Sequence, residues 1–352
     1  MKYSVKHIPF LDGLRAVAIS LVILCHLRFS VSFHCPDKLL SVWGDYGPLG
    51  VQIFFGLSGY LITKLLVWEK EQSGQVSLGN FYIRRALRIF PAFYMYFFII
   101  FLMVYFNVLK ISYKALLSSA IYLKNYISSC GGSDSWFIGH TCSLAVEEQF
   151  YLFWPILFVF LGIRRAKYAA LAIIVMMPVI RLASWILFPD SRDSIGGTIH
   201  TCADRLMFGC LLALLDGNSK FEKIMANLRS GLLPLLAAII LFLVSPCLRL
   251  IFHSSYYLII GLSLEGVSIA FIIAWLLRSH ANSIADLLNS TPMIHIGRLS
   301  YSLYLWQQLF LTGNNKTFTG IFPLNILFSY IMACASYYLL EKRFLALRAR
   351  FR

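Results

Sequence analysis

FLDGLRAVAISLVILCH, residues 10–26, is a long apolar run that carries Asp12, Arg15 and His26. A segment that crosses about 30 Å of hydrocarbon needs about 20 mostly apolar residues, and 9–29 supplies them. Charged groups inside such a segment are costly and normally face a protein interior or a water-filled cavity. The run therefore reads as one helix of a membrane bundle with a polar inner face. It reads as a retained first span rather than a cleavable leader, because it holds ionisable groups and no A-x-A-like site follows it.

The rest of the chain agrees. Apolar residues make up 59% of its 352 positions and charged residues only 13%, about half the charged share of a soluble domain. The expected fold is all-α: a polytopic membrane bundle of about ten helices, with spans near 9–29, 48–68, 90–109, 144–163, 168–188, 201–215, 231–250, 256–277, 293–312 and 321–341. The sixth is short, so it is expected to be tilted, broken or partly re-entrant within protein. The stretch 113–127 is apolar but carries Lys114 and Lys124, and reads as interfacial. There is no repeat or linker, so residues 1–352 are expected to form a single transmembrane domain.

The net charge of +15 does not point to nucleic acid. Nucleic-acid binding needs one contiguous basic face, whereas the basic residues here gather in alternate loops. Lys70, Arg84, Arg85 and Arg88 precede the third span; Arg164, Arg165 and Lys167 follow the fourth; Lys220, Lys223 and Arg229 follow the sixth; Lys342, Arg343, Arg348, Arg350 and Arg352 end the chain. Opposite loops hold the sparser Lys38, Lys110, Lys114, Lys124, Arg192, Arg249 and Lys316. By the positive-inside rule both termini face the cytoplasm. The eight cysteines show no C-x-x-C spacing, which argues against a zinc or redox site. Cys35, Cys130 and Cys142 fall in loops placed outside, where either a disulfide or free thiols fit.

Five segments hold the candidate chemistry. Arg15 and His26 are eleven positions apart, which in a continuous helix returns within about 20° of one face at an axial separation of roughly 16 Å. Asp12 stands one turn before Arg15 and is placed to pair with it. In GVQIFFGLSGYLIT, 50–63, the small residues Gly50, Gly56, Ser58 and Gly59 suit close helix packing better than chemistry, since no base stands beside Ser58 in sequence. In FYIRRALRIFPAFY, 81–94, Arg84, Arg85 and Arg88 suit a phosphate-bearing cosubstrate or anionic lipid heads. In CSLAVEEQFYLFWPIL, 142–157, Glu147 and Glu148 lie in the first turn of a span, where the helix dipole favours carboxylates. One of them could orient His26 as a base is oriented by an acid. In HIGRLSYSLYLWQQLF, 295–310, Tyr301 and Gln307 suit either packing or contact with a sugar.

Taken in order, these segments resemble the acyltransferase-3 family of membrane O-acyltransferases. The match consists of Arg15 and His26; the G-x-x-x-F-F-x-L-S-G-Y-L stretch from Gly50; R-R-x-x-R-I-x-P from Arg84; S-L-x-V-E-E-Q-F-Y from Ser143; S-Y-S-L-Y-L-W from Ser300; and the closing LLEKRFLALR. The resemblance implies transfer of an acyl group, usually acetyl from acetyl-coenzyme A, to a hydroxyl of an extracytoplasmic glycan such as lipopolysaccharide O-antigen. It makes Arg15 and His26 the essential pair, Glu147 and Glu148 the acidic pair, and Arg84, Arg85 and Arg88 the cosubstrate motif, with no metal. Asp12, Ser58 and Tyr301 are the further candidates for substrate contact. It places the chain in the bacterial inner membrane, among lipids and a polysaccharide or lipid-linked glycan acceptor. Relatives often carry Trp where this chain has Cys142 and His where it has Gln307, and an arginine near the sixth span is replaced by Cys202, leaving Asp204 and Arg205. Many relatives also carry a fused extracytoplasmic hydrolase-like domain, which is not expected here; a separate partner protein would then supply it. A transporter or flippase for a glycan precursor, or a structural partner in an envelope complex, would account for the same intramembrane polar residues.

Overall fold

The structure is a computed structural model and describes residues 8–30, 46–127, 136–227, 232–278, 283–312 and 318–351. Cys35, Lys38, Cys130, Arg229, Lys316 and Arg352 lie outside the described residues. The helices in chain order are α1 (Pro9–Leu27), α2 (Gly47–Ser73), α3 (Leu78–Tyr105), α4 (Tyr113–Ala120), α5 (Lys124–Ile127), α6 (Trp136–Gly139), α7 (Thr141–Leu187), α8 (Ile199–Leu215), α9 (Ser219–Asn227), α10 (Leu232–Ile239), α11 (Ser245–Tyr256), α12 (Leu262–Arg278), α13 (Ser283–Leu288), α14 (Thr291–Phe310), α15 (Leu324–Ala335) and α16 (Lys342–Leu347). Wide π turns occupy Ile240–Val244, Tyr257–Gly261 and Ser336–Glu341. No β-strand element occurs among the described residues.

An all-helical chain follows from its solvent, because hydrocarbon offers no partner to an open N–H or C=O. Where helices begin in water, side chains close their ends: Ser77 Oγ accepts from the Asn80 amide at 3.4 Å and Ser112 Oγ from the Ala115 amide at 3.2 Å. Phe98, Leu152, Phe153, Phe160, Val175 and Ile186 stand exposed, as side chains facing lipid do.

Seven helical stretches among the described residues are long and apolar enough to cross a membrane, so the chain is a multi-pass membrane protein. Three of the ten expected spans are not counted separately, each for a physical reason. Spans four and five belong to the single helical stretch Trp136–Leu187, bent at Gly162, whose φ of 71° needs a residue without Cβ. The sixth is α8, unbroken but only 17 residues long. The ninth, α14, has its hydropathy diluted by Arg298, Gln307 and Gln308.

The chain divides into two compact units. The first comprises Met1–Leu14, Val51–Val76 and Val146–Ile294; the second comprises Arg15–Gly50, Ser77–Ala145 and His295–Arg352. In the first unit α2 packs on α8 through glycines. A Cβ on Gly59 would overlap the Leu206 carbonyl oxygen, and one on Gly209 would overlap that of Gly56. In lipid, where burial of apolar surface drives little, such close approach is how helices gain contact energy. The same device recurs in the second unit, where a Cβ on Gly50 would meet the Ala18 carbonyl of α1. The packing reading of the 50–59 stretch is thus realised at three positions.

The first unit also holds a fully buried ion pair. Arg181 of α7 bonds both carboxylate oxygens of Asp204 in α8, at 3.0 and 2.9 Å. Its remaining N–H groups reach the Thr201 carbonyl at 2.9 Å, the Ile259 carbonyl at 3.1 Å and Ser263 Oγ at 2.5 Å. Neither side chain is exposed. A guanidinium with all its donors used is the arrangement in which a buried charge pair is tolerated. Arg205, next to Asp204, donates to the Gly196 carbonyl and lies 5.0 Å from the centre of the Phe55 ring. Asp204 and Arg205, kept open as candidates near the sixth span, are therefore engaged in holding helices together.

Candidate active site

In the second unit His26 ends α1 and faces into the bundle. Its Nδ1 is 2.8 Å from Gln307 Oε1 of α14, and its ring meets Trp136 of α6 edge-on at 5.2 Å between centroids. The amide oxygen can only accept, so Nδ1 carries the proton and Nε2 keeps its lone pair. Gln307 is fully buried, which fixes the imidazole plane. That is the orienting role the sequence offered to Glu147 or Glu148, supplied at Nδ1 by an amide. Arg15 lies on the same unbroken helix, half-buried, so the separation of roughly 16 Å stands. Asp12, in the first turn of α1, is buried.

Next to Gln307, Gln308 holds a second histidine. Its Oε1 accepts from His140 Nδ1, and its backbone carbonyl accepts from Trp136 Nε1 at 3.1 Å. His140 packs edge-on against Tyr96 at 5.2 Å and Tyr304 at 5.7 Å, and the Tyr304 hydroxyl bonds to Ser143 at 2.5 Å. Lys124 of α5 and His26 are close enough to act electrostatically on His140. Lys124, expected at the interface, is fully buried instead, and burial lowers its amine to about 8. The reason is that α4 and α5 pack inward, burying Ala115, Leu116, Ser118 and Ser119 together with Lys124 and Asn125.

The arginine motif stands near the start of α3. Arg84 donates to the Phe351 carbonyl at 2.7 Å, Arg85 lies over the Phe81 ring at 6.0 Å, and Arg88 acts on Glu341. All three are half-buried rather than sunk in the core. Glu341 accepts from Ser302 and, at 3.1 Å, from Ser336, which the π turn Ser336–Glu341 brings within reach. Tyr301 donates to the Ile89 carbonyl at 3.0 Å, which favours its packing alternative.

In the first unit Ser58 donates to Glu147 Oε1 at 2.6 Å and accepts from the Tyr151 hydroxyl at 3.0 Å. Sequence showed no acid–base partner beside Ser58 because Glu147 is 89 positions away. Glu147 and Tyr151 lie one turn apart on α7, so one helix face grips Ser58 from both sides. Glu148 is half-buried beside them. Deeper in this unit Glu265 accepts from Ser245 at 2.6 Å and from Gln52. Cys142, placed in a loop by sequence, lies in the first turn of α7 and is disulfide-bonded. Cys202, Cys210, Cys247 and Cys334 are free thiols.

Comparison with known proteins bears on these residues together. A profile of the acyltransferase domain, acyltransferase-3, matches residues 8–342. The peptidoglycan O-acetyltransferase OatA of Listeria monocytogenes is 32% identical over 339 residues, 88% of this chain and 50% of its own length. The O-acetyltransferase OatA of Staphylococcus aureus is 31% identical over 368 residues, 96% of this chain and 57% of its own. A putative O-acetyltransferase of the same species is 29% identical over 327 residues, covering 87% and 51%. The chain thus spans about half the length of the curated relatives it matches. No solved structure matches it. A profile that runs from the start of α1 to the first residue of α16 shows that this chain belongs to the acyltransferase-3 family of membrane acyltransferases.

Proposed function

We propose that the protein moves an acetyl group from acetyl-coenzyme A on the cytoplasmic side to a hydroxyl of an extracytoplasmic envelope glycan. It would work in a bacterial cytoplasmic membrane with both termini inside. The observation that carries the reading is His26, held at Nδ1 by Gln307 with its Nε2 lone pair available. A sugar hydroxyl is a poor nucleophile near neutral pH and gains about 10²–10⁴-fold from a positioned base. Arg84, Arg85 and Arg88 are the groups suited to the donor's phosphates, since guanidinium binds phosphate in a two-pronged fashion. Arg15, eleven residues before His26 on α1, would stabilise charge developing on the thioester oxygen. Glu147, which accepts from Ser58, is a fixed carboxylate within the first unit. Listeria OatA is named for peptidoglycan, which makes a peptidoglycan sugar the first acceptor to try, ahead of lipopolysaccharide O-antigen.

The test is mass spectrometry of envelope glycans from cells with wild-type protein, with His26→Ala, and with neither. Wild type should add acetyl groups that both other strains lack, at equal membrane abundance of the two proteins. Undiminished acetylation by His26→Ala would remove the assignment. Net transport of an unmodified glycan would replace the reading with the transporter alternative.

A further inference from the structure

Two adjacent residues of α14, Gln307 and Gln308, accept from Nδ1 of two different histidines, His26 and His140. Each amide fixes the same tautomer, so both imidazoles present an Nε2 lone pair. At His140 that atom is buried and has no hydrogen-bond partner among the described residues, and the same holds for Lys124 Nζ and Gln307 Nε2. Leaving one buried polar atom unpaired costs about 1–3 kcal/mol. Native proteins keep nearly all such atoms satisfied, so each of these calls for a polar partner, water or substrate. This group lies in one unit and includes the ammonium that acts on His140.

One acyl transfer through a single histidine leaves a second oriented imidazole without work. We infer that His140 is the catalytic base, whose Nε2 takes the proton of the acceptor hydroxyl, while His26 carries the acetyl group instead of acting as the base itself. The inference rests on the acyltransferase reading above. In the loading step His26 Nε2 bonds to the carbonyl carbon of the acetyl thioester. The carbon–sulfur bond breaks, and the thiolate leaves with the electron pair and takes a proton from water. In the transfer step the acceptor oxygen bonds to that carbon. The carbon–nitrogen bond breaks with its electrons returning to His26 Nε2, and the hydroxyl proton passes to His140 Nε2 and then to water. The sum is thioester plus alcohol giving ester plus thiol. Lys124 Nζ and Gln307 Nε2 are donors left over to hold oxygens of the acceptor sugar.

The test uses the full chain in lipid nanodiscs, radiolabelled acetyl-coenzyme A as donor and soluble uncrosslinked peptidoglycan strands as acceptor. Label on the protein is read without acceptor, and label in the glycan with it. His140→Gln is expected to take up label as wild type does, yet to pass it on about 10²–10⁴-fold more slowly. In His140→Ala, added imidazole is expected to restore transfer, which no purely structural role would allow. Transfer by His140→Gln at the wild-type rate would overturn the inference. So would joint loss of loading and transfer in folded protein, or wild-type transfer with no protein-bound label. Absence of all acetyl transfer by wild type would instead sink the acyltransferase reading itself.

Discussion

Replacing Gln307 by Leu separates the chemistry of His26 from the stability of the bundle. Gln307 is fully buried and gives one visible service, accepting from His26 Nδ1 at 2.8 Å. Leucine is close to it in volume and fills the same space. The exchange deletes a buried amide N–H that has no partner among the described residues, so packing should hold. What is lost is the acceptor that fixes the imidazole's tautomer and plane. The Nδ1–H then stays buried and unpaired at about 1–3 kcal/mol, or the ring turns and its Nε2 no longer points at the reacting carbon. At 1.4 kcal/mol per factor of ten, turnover should fall about 5- to 150-fold. The loss should appear in kcat, with KM for acetyl-coenzyme A unchanged, because the arginine motif does not depend on this bond. Gln307→Glu keeps an acceptor at the same place and should restore the imidazole's orientation while lacking the Nε2 donor. The assay is steady-state acetyl transfer in nanodiscs beside thermal unfolding of the same samples. Gln307→Leu with kcat within about twofold of wild type would refute a positioning role.

Two further outcomes are expected. Asp204→Ala strands the unexposed Arg181 guanidinium and should cost about 3–5 kcal/mol. The pair Arg181→Met with Asp204→Leu should recover most of that loss, and thermal unfolding across the cycle would show non-additivity; additive losses would count against the pair. Lys124, lowered by burial to about 8, binds its proton less well in the fold than in the unfolded chain. Between about pH 8 and 10.5 the unfolded state therefore holds more protons, so stability should rise with pH across that window. Lys124→Met should remove that rise relative to wild type; an identical slope in both would contradict the burial of the amine.

What sequence made legible is what depends on one helix at a time. The face shared by Arg15 and His26 follows from 3.6 residues per turn, and α1 is one continuous helix. The small residues of 50–59 advertised close approach, and their partners turned out to be backbone carbonyls. What depended on two helices was hidden. Ser58 meets Glu147 across 89 positions and His26 meets Gln307 across 281. Arg181, inside the expected span 168–188, meets Asp204 across 23 positions and another helix, so that pairing was hidden as well. Lys124 was read as interfacial, since hydropathy cannot tell a lysine that reaches water from one that packing has folded inward.

The paired glutamines show why the polar residues of α14 were hard to value. Read alone, Gln307 and Gln308 dilute the hydropathy of a span and suggest either sugar contact or packing. Neighbours on a helix point about 100° apart, so two adjacent amides cannot serve one group, and each must find its own partner. The partners are two imidazoles, one ending α1 and one just before α7. A buried glutamine is expensive unless its amide is used, and using only the oxygen leaves an amide N–H to be met by something else. Gln307 Nε2, His140 Nε2 and Lys124 Nζ are therefore buried polar atoms that a polar partner would satisfy. A bilayer-embedded bundle with no substrate to bind would gain stability by replacing all three with apolar side chains. That these residues stand instead beside the oriented His26 is the strongest physical reason to look for acyl transfer here before transport.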